Sequence, residues 1–168
     1  YDKSDELLKF VSPVSGKISD IIRGEKRKIL SIKILADDNQ VFKNSGCLKN
    51  SANRQDIIEF LLSTGCWPFI MQRPYAIIAN YKSAPKSIFV SGYSSEPLSA
   101  NLDFTLKDNK NEIQAAISVL DKLTEGNVNV SVGKSSSSIF REIEDIELYN
   151  VSGPHPSGNV GSLINKVD

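Results

Sequence analysis

The stretch SGPHPSGNVG, Ser152 to Gly161, holds the only histidine of the chain, two prolines and three glycines in ten residues. Histidine is the side chain best suited to moving a proton near neutrality. A glycine-rich turn after a strand lets backbone amides approach a phosphate. For His155 to act as a general base it needs a nucleophile beside it, and the sequence pairs it with none. A phosphate cradle needs a row of amides. Prolines lack the N–H, and the stretch is neither GxGxxG nor a Walker loop. Ser157 to Gly161 keeps enough amides for a small anion nest. The competing reading is a structural turn whose glycines, Gly158 and Gly161 among them, allow close packing.

Other residues with chemical potential are fewer. Lys17 in SGKIS, and Lys26 and Lys28 in RGEKRK, read as turn lysines. A turn lysine can carry biotin or lipoate, but none here has an acceptor context such as Met-Lys-Met. A solvated charge on a hairpin is the simpler reading. Cys47 and Cys66 lack metal-type spacing and read as two buried, reduced thiols. With one histidine and two cysteines, a zinc or haem site is not expected. In FIMQRPYA, Arg73 precedes Pro74, which biases it toward extended backbone. Strand alternation then puts Tyr75 on the same side as Arg73.

Composition bounds the partners. The 168 residues are 40% hydrophobic and 24% charged, with 20 basic and 20 acidic side chains. That is an ordinary globular composition. The overall balance gives no reason to expect nucleic acid or an anionic bilayer as partner. No apolar run is long enough to span a membrane or to read as a signal peptide. The chain begins at Tyr1 and ends at Asp168, and reads as a piece of a longer protein.

Three blocks must position these residues. In the first, Leu7 to Phe42, short β-rich runs flank SPVSG, and Leu30, Ile32 and Ile34 alternate with Ser31 and Lys33. With QVFK after the turn at Asp37 to Asn39, the pattern predicts four strands, too few to close a core. In the second, NRQDIIEFLLSTG predicts a helix. Asn53 caps it, Asp56 completes a variant capping box, and Gly65 ends it. CWPFIMQRPYAIIANYKSAP follows, apolar, irregular and interrupted by three prolines. In the third, SIFVSG, VNVSVG and IELYNV predict strands. YSSEPLSANLDFTLKD is expected to be an extended connection. NKNEIQAAISVLDKLTEG predicts a helix with a capping box at Asn109 and Glu112. SSSSIFREI predicts a short helix with several candidate N-cap serines. Strand, helix, strand, helix, strand is the grammar of a parallel sheet, with working loops at the strands' carboxyl ends. SGYSSEP, with Glu96, and SGPHPSGNVG both fall there.

Four stretches carry a family resemblance. SPVSGKISDIIRGEKRKILSIKI, LLSTGCWPFIMQRPYA, SIFVSGYSSEPLSANLDFTLK and SGPHPSGNVGSLINKVD resemble the family of A subunits of the bacterial sodium-translocating NADH:quinone oxidoreductase, in order and over nearly the whole chain. RGEKR, RPY and HPSGNVG are its specific motifs. The resemblance implies an α/β fold: a Rossmann-like parallel sheet preceded by half of a biotinyl/lipoyl-like β module. The expected division is residues 1–45 for the partial β module, 46–86 for the helix and irregular connecting segment, and 87–168 for the Rossmann-like domain.

That family is related to the flavoprotein subunit of respiratory complex I and to the C subunit of the Rnf complex. Those relatives place a glycine-rich loop and a GxExEP-type segment around FMN and NADH. Here Trp67 to Arg73 stands at the first place, and only Glu96-Pro97 survives of the second. The resemblance therefore implies a scaffold without its flavin site. It implies a cofactor-free peripheral subunit on the cytoplasmic face of the bacterial inner membrane. The subunit would have no catalysis of its own and no direct membrane span, and FMN and NADH would be handled by other subunits. Quinone binding, implied for the family, falls on Phe69, Arg73, Pro74 and Tyr75. An aromatic, proline-rich strip suits a quinone or a neighbouring subunit equally. Glu96, His155, Gly158 and Gly161 are the loop candidates. The alternatives are a flavin- or nucleotide-binding fragment of a related electron-transfer flavoprotein, and a biotinylated or lipoylated carrier.

Overall fold

The computed structural model describes residues 5–134 and 138–167. Ser135, Ser136 and Ser137, three of the candidate N-cap serines, lie outside the described residues. In the first block, β1 (Gly16–Arg23) and β2 (Ile29–Ala36) form an antiparallel hairpin. The register pairs Ile18 with Ile34 and Ile21 with Ile32, and an irregularity between Ile18 and Asp20 keeps both pairs on one face. That face is apolar yet open, with Ile18 62% and Ile32 50% exposed.

The block has two strands among the described residues, not the four expected. QVFK is held instead by a side-chain clasp. Ser15 Oγ donates to the Val41 carbonyl (2.6 Å) and accepts from the Val41 amide (2.8 Å). In LLKFV, Leu8 turns away to pack against the second core cluster. Both runs are hydrophobic enough for a strand, but a strand also needs an edge to pair with.

The second block opens with α1 (Arg54–Thr64), whose capping box forms as expected. The Asp56 amide donates to Asn53 Oδ1 (3.0 Å), and the Asn53 amide donates to Asp56 Oδ2 (2.9 Å). Gly65, at φ 73°, ends the helix in the left-handed conformation that side chains resist. Ile57, Ile58 and Leu62 are buried. The irregular segment is a 3-10 turn, Trp67–Phe69, then a minimal hairpin of β3 (Met71–Gln72) and β4 (Ile77–Ile78).

Arg73 and Tyr75 therefore sit in the hairpin's turn, not in an alternating strand. The same-side expectation fails because period-2 alternation holds only for extended backbone. Trp67 anchors the segment. It is buried, donates from Nε1 to the Ala79 carbonyl (2.7 Å), and packs edge-on against Tyr81. The Tyr81 hydroxyl donates to Asp5 Oδ2 (2.7 Å), and this bond holds the phenol's pKa above its ordinary value.

The third block is a three-stranded parallel sheet, ordered β5 (Ile88–Ser91), β6 (Val128–Gly133) and β7 (Glu147–Val151). The connection expected to be extended contains α2 (Leu102–Leu106). Asn101 caps it by accepting from the Phe104 amide (3.2 Å). α3 (Lys110–Asp121) joins β5 to β6. Its predicted cap is absent, because Asn109 makes no side-chain cap hydrogen bond. The 3-10 turn Ile139–Glu142 joins β6 to β7, with the Ser138 hydroxyl accepting from the Phe140 amide (3.4 Å). α4 (Val160–Val167) follows β7, packs on β5, and buries Leu163.

β6 is buried along its whole length. Val128, Val130 and Val132 meet Ile117, Ile139, Phe140 and Ile143 in the main core. A second cluster joins Ile57, Ile58, Leu62 and Trp67 to Leu123. The cysteines depart from expectation. Both are exposed, Cys66 just beyond the Gly65 cap and Cys47 in the open connection before α1. Among the described residues, no helix is long and apolar enough to cross a membrane.

Candidate functional site

A cleft of about 580 Å³ opens at the carboxyl ends of the parallel strands. Its floor is Ser91, the last residue of β5, with Tyr93, Ser94 and Glu96 from the loop that follows. The opposite wall is the histidine loop and the start of α4: Pro156, Gly158, Asn159, Val160, Gly161 and Ser162. Arg73 reaches the cleft from the β3–β4 turn. Four of the sequence candidates, Arg73, Glu96, Gly158 and Gly161, thus meet in one place.

Serines lock the two loops together. The Ser91 hydroxyl lies within hydrogen-bonding reach of the Tyr93 carbonyl (2.9 Å) and the Gly158 carbonyl (3.1 Å). The Gly158 amide donates to Ser95 Oγ (2.9 Å), which stands 3.4 Å from His155 Nδ1. At Gly158, a Cβ would meet the Ser95 amide nitrogen at 2.5 Å and the Tyr93 carbonyl oxygen at 3.0 Å. Only a residue without a side chain lets the loops approach so closely. Gly161 differs, since a Cβ there meets nothing within 4 Å. The close-packing reading of the loop therefore holds at Gly158 and not at Gly161.

Sequence reasoning missed Ser91 and Ser95. Their signal is positional: one ends a strand, and the other precedes the Glu96-Pro97 pair at the sheet's mouth. Ser95 and His155 do not form a prepared nucleophile and base. Their separation is at the outer limit of a hydrogen bond, and Ser95 already accepts the Gly158 amide. No acidic group is seen to orient the imidazole among the described residues. The chemistry available in the cleft is recognition. Arg73 offers a planar set of donors and Glu96 a carboxylate. Among the described residues the ion pairs are Lys33–Asp20 and Lys110–Glu142, so neither Arg73 nor Glu96 has one.

The remaining candidates stand outside the cleft. Phe69 is 82% and Tyr75 80% exposed, and Pro74 is exposed between Arg73 and Tyr75. Met71 and Ile77 are also largely exposed on the same hairpin. Together they make this stretch of chain an exposed apolar strip. Trp67, just after α1, is buried and its indole is hydrogen-bonded. Among the described residues, no group of three or more His, Cys, Asp or Glu could hold a metal ion.

The fold and cleft define a mixed α/β protein with a three-stranded parallel sheet and a polar cleft at its carboxyl edge. Two family models match the chain: "NqrA second alpha/beta domain" over residues 52–168 and "NqrA N-terminal barrel-sandwich hybrid domain" over residues 1–37. The chain belongs to the NqrA family. It is similar to proteins named as the A subunit of the Na(+)-translocating NADH-quinone reductase. The similarity is 34% identity to that of Saccharophagus degradans, over 99% of this chain and 38% of the relative. For Marinomonas sp. it is 31% over 99% of this chain and 38% of the relative, and for Vibrio anguillarum 33% over 96% and 36%. The chain thus spans less than two fifths of the length of these relatives.

Proposed function

We propose that this chain is part of the A subunit of a sodium-translocating NADH:quinone oxidoreductase and acts there as a cofactor-free docking element. In this reading it lies peripherally, on the cytoplasmic face of the inner membrane, with FMN and NADH handled by other subunits. The observation that carries docking is the exposed strip. Phe69, at the end of the 3-10 turn, and Tyr75, in the β3–β4 turn, each present aromatic surface about four fifths exposed. Exposed aromatics around an arginine are the composition of interface hot spots. A quinone ring needs flat apolar cover on both sides, which an open strip does not supply.

The finer fold reading supports the same picture. Parallel strands β5, β6 and β7, the first two joined through α3, fit a Rossmann-like half at residues 87–168, with residues 46–86 as connecting segment. The β1–β2 hairpin, with one uncovered apolar face, fits part of a biotinyl/lipoyl-like module at 1–45. The buried Trp67 supports the loss of a flavin site after α1.

One observation favours a second reading. Arg73 lines the cleft, and a guanidinium there has donors for a quinone carbonyl. The double variant Arg73→Ala, Tyr75→Phe in the assembled pump separates the two. Docking predicts that the subunit is lost from the complex during purification. Quinone contact predicts an intact complex with a raised apparent quinone requirement. An intact pump with unchanged quinone kinetics removes both.

A further inference from the structure

The chain's net charge is zero, but its charge is not evenly spread. The tip of the β1–β2 hairpin, RGEKRK, carries Arg23, Lys26, Arg27 and Lys28 against a single acid, Glu25. None of the four cations belongs to an ion pair among the described residues, where the pairs are Lys33–Asp20 and Lys110–Glu142.

The tip is built to present them. Lys26 and Arg27 both adopt left-handed backbone, at φ 53° and 63°. The turn is closed by the Gly24 amide donating to the Lys28 carbonyl (2.8 Å) and the Lys28 amide donating to the Glu25 carbonyl (3.1 Å). Arg23 Nη1 donates to the Arg27 carbonyl (3.3 Å), holding one guanidinium beside the turn. Arg23, Lys26 and Arg27 share a hollow of about 570 Å³ with Ile29. The aliphatic neighbour that lines the hollow, Ile29, is open as well, at 50% exposed.

We infer that this tip is an electrostatic docking point for the headgroups of an anionic phospholipid surface. Cations set among exposed aliphatic side chains match the boundary between headgroups and acyl chains, where long basic side chains reach phosphate while apolar groups sink. Juxtamembrane basic residues gain their binding from the negative surface potential of such a leaflet. A nucleic acid fits less well, because neither strand nor the tip holds an aromatic residue on which a base could stack.

The test is sedimentation of the full chain with vesicles of phosphatidylglycerol and phosphatidylcholine, against phosphatidylcholine alone. The chain should partition to the anionic vesicles, and added salt should release it. Lys26→Asn with Arg27→Asn keeps a residue type that accepts left-handed backbone. It should lower partitioning roughly 30-fold, the effect of about 1 kcal/mol per cation at such a surface. Lys28→Gln, on ordinary backbone, is the second variant and should lower it about 5-fold on the same basis. Lys43→Gln with Lys49→Gln removes as much charge elsewhere and should change little. Equal partitioning to both vesicle types would overturn the inference. So would equal losses in the tip and control variants, or binding to RNA or an acidic polypeptide as tight as to the anionic vesicles.

Discussion

Two glycines three residues apart in the histidine loop have opposite roles. Gly158→Ala drives a methyl group into the backbone of the Tyr93–Ser95 loop, with the Ser95 amide nitrogen at 2.5 Å. Backbone cannot yield as a side-chain end can, so the expected loss is about 1–3 kcal/mol, the usual cost of overpacking. Gly161→Ala enters open space inside the first turn of α4, and should be neutral or stabilising by up to about 1 kcal/mol. Urea midpoints of the two variants, compared at equal m-value, decide this. Equal destabilisation by both would mean the loops are not packed as described. The sequence offers both glycines as equals, since a one-letter pattern holds no information about what stands across a gap. The same limit hides Ser91 and Ser95, whose importance lies in reaching Gly158 from another loop.

Helix caps give the matching contrast at the level of elements. Asn53 and Asp56 satisfy each other's backbone amides, and Asn53→Ala should cost about 1 kcal/mol. Asn109→Ala should cost little, because Asn109 bonds no amide of α3. Thermal or urea unfolding of the pair tests whether cap patterns, or cap geometries, carry the stability.

α3 is also tied to the turn before β7 by Lys110 Nζ and Glu142 Oε2 at 2.9 Å, and the Lys110 hydrogen bond lowers the Glu142 pKa. A lowered folded-state pKa contributes stability above the unfolded value, and that contribution is lost as pH falls through the folded one. Glu142→Gln should therefore flatten the acid limb of the stability profile slightly and leave it unchanged in shape at neutral pH. The pair is exposed, so a steep change would contradict this assignment.

The β1–β2 hairpin should exchange its amide hydrogens faster than Ile113 to Leu123, because its apolar face is uncovered in this chain. Periodic elements are legible: α1, α3 and the three parallel strands all announce themselves by hydrophobic spacing and end signals. α2 is hidden, since five residues are too few to show a period. The β3–β4 hairpin is hidden because two-residue strands have no alternation to detect.

On the docking reading, the molecule as a whole is a scaffold used for contact. Its cleft at the sheet's mouth is legible from strand order alone, because loops at the carboxyl ends of parallel strands converge there. The arrival of Arg73 is not legible, because it depends on a turn that folds back from a different block. The docking reading makes the chain independent of flavin. Titration of the chain with FMN or NADH should show no saturable binding in the micromolar range, about −8 kcal/mol. Its intact mass from cells should equal the sequence mass, with no adduct on Lys17, Lys26 or Lys28. A stoichiometric yellow protein, or a mass increment on one of those lysines, would revive the flavin or carrier readings.

The central claim is that the Phe69–Tyr75 strip faces another polypeptide. It is tested most directly by placing a photoreactive benzoyl-phenylalanine at Phe69, and separately at Tyr75, in the assembled pump. Both side chains are about four fifths exposed in this chain, so the probe needs no repacking. Illumination should join this chain to a neighbouring polypeptide at both positions. Adducts confined to quinone, or no adduct to any other polypeptide at either position, would contradict the claim.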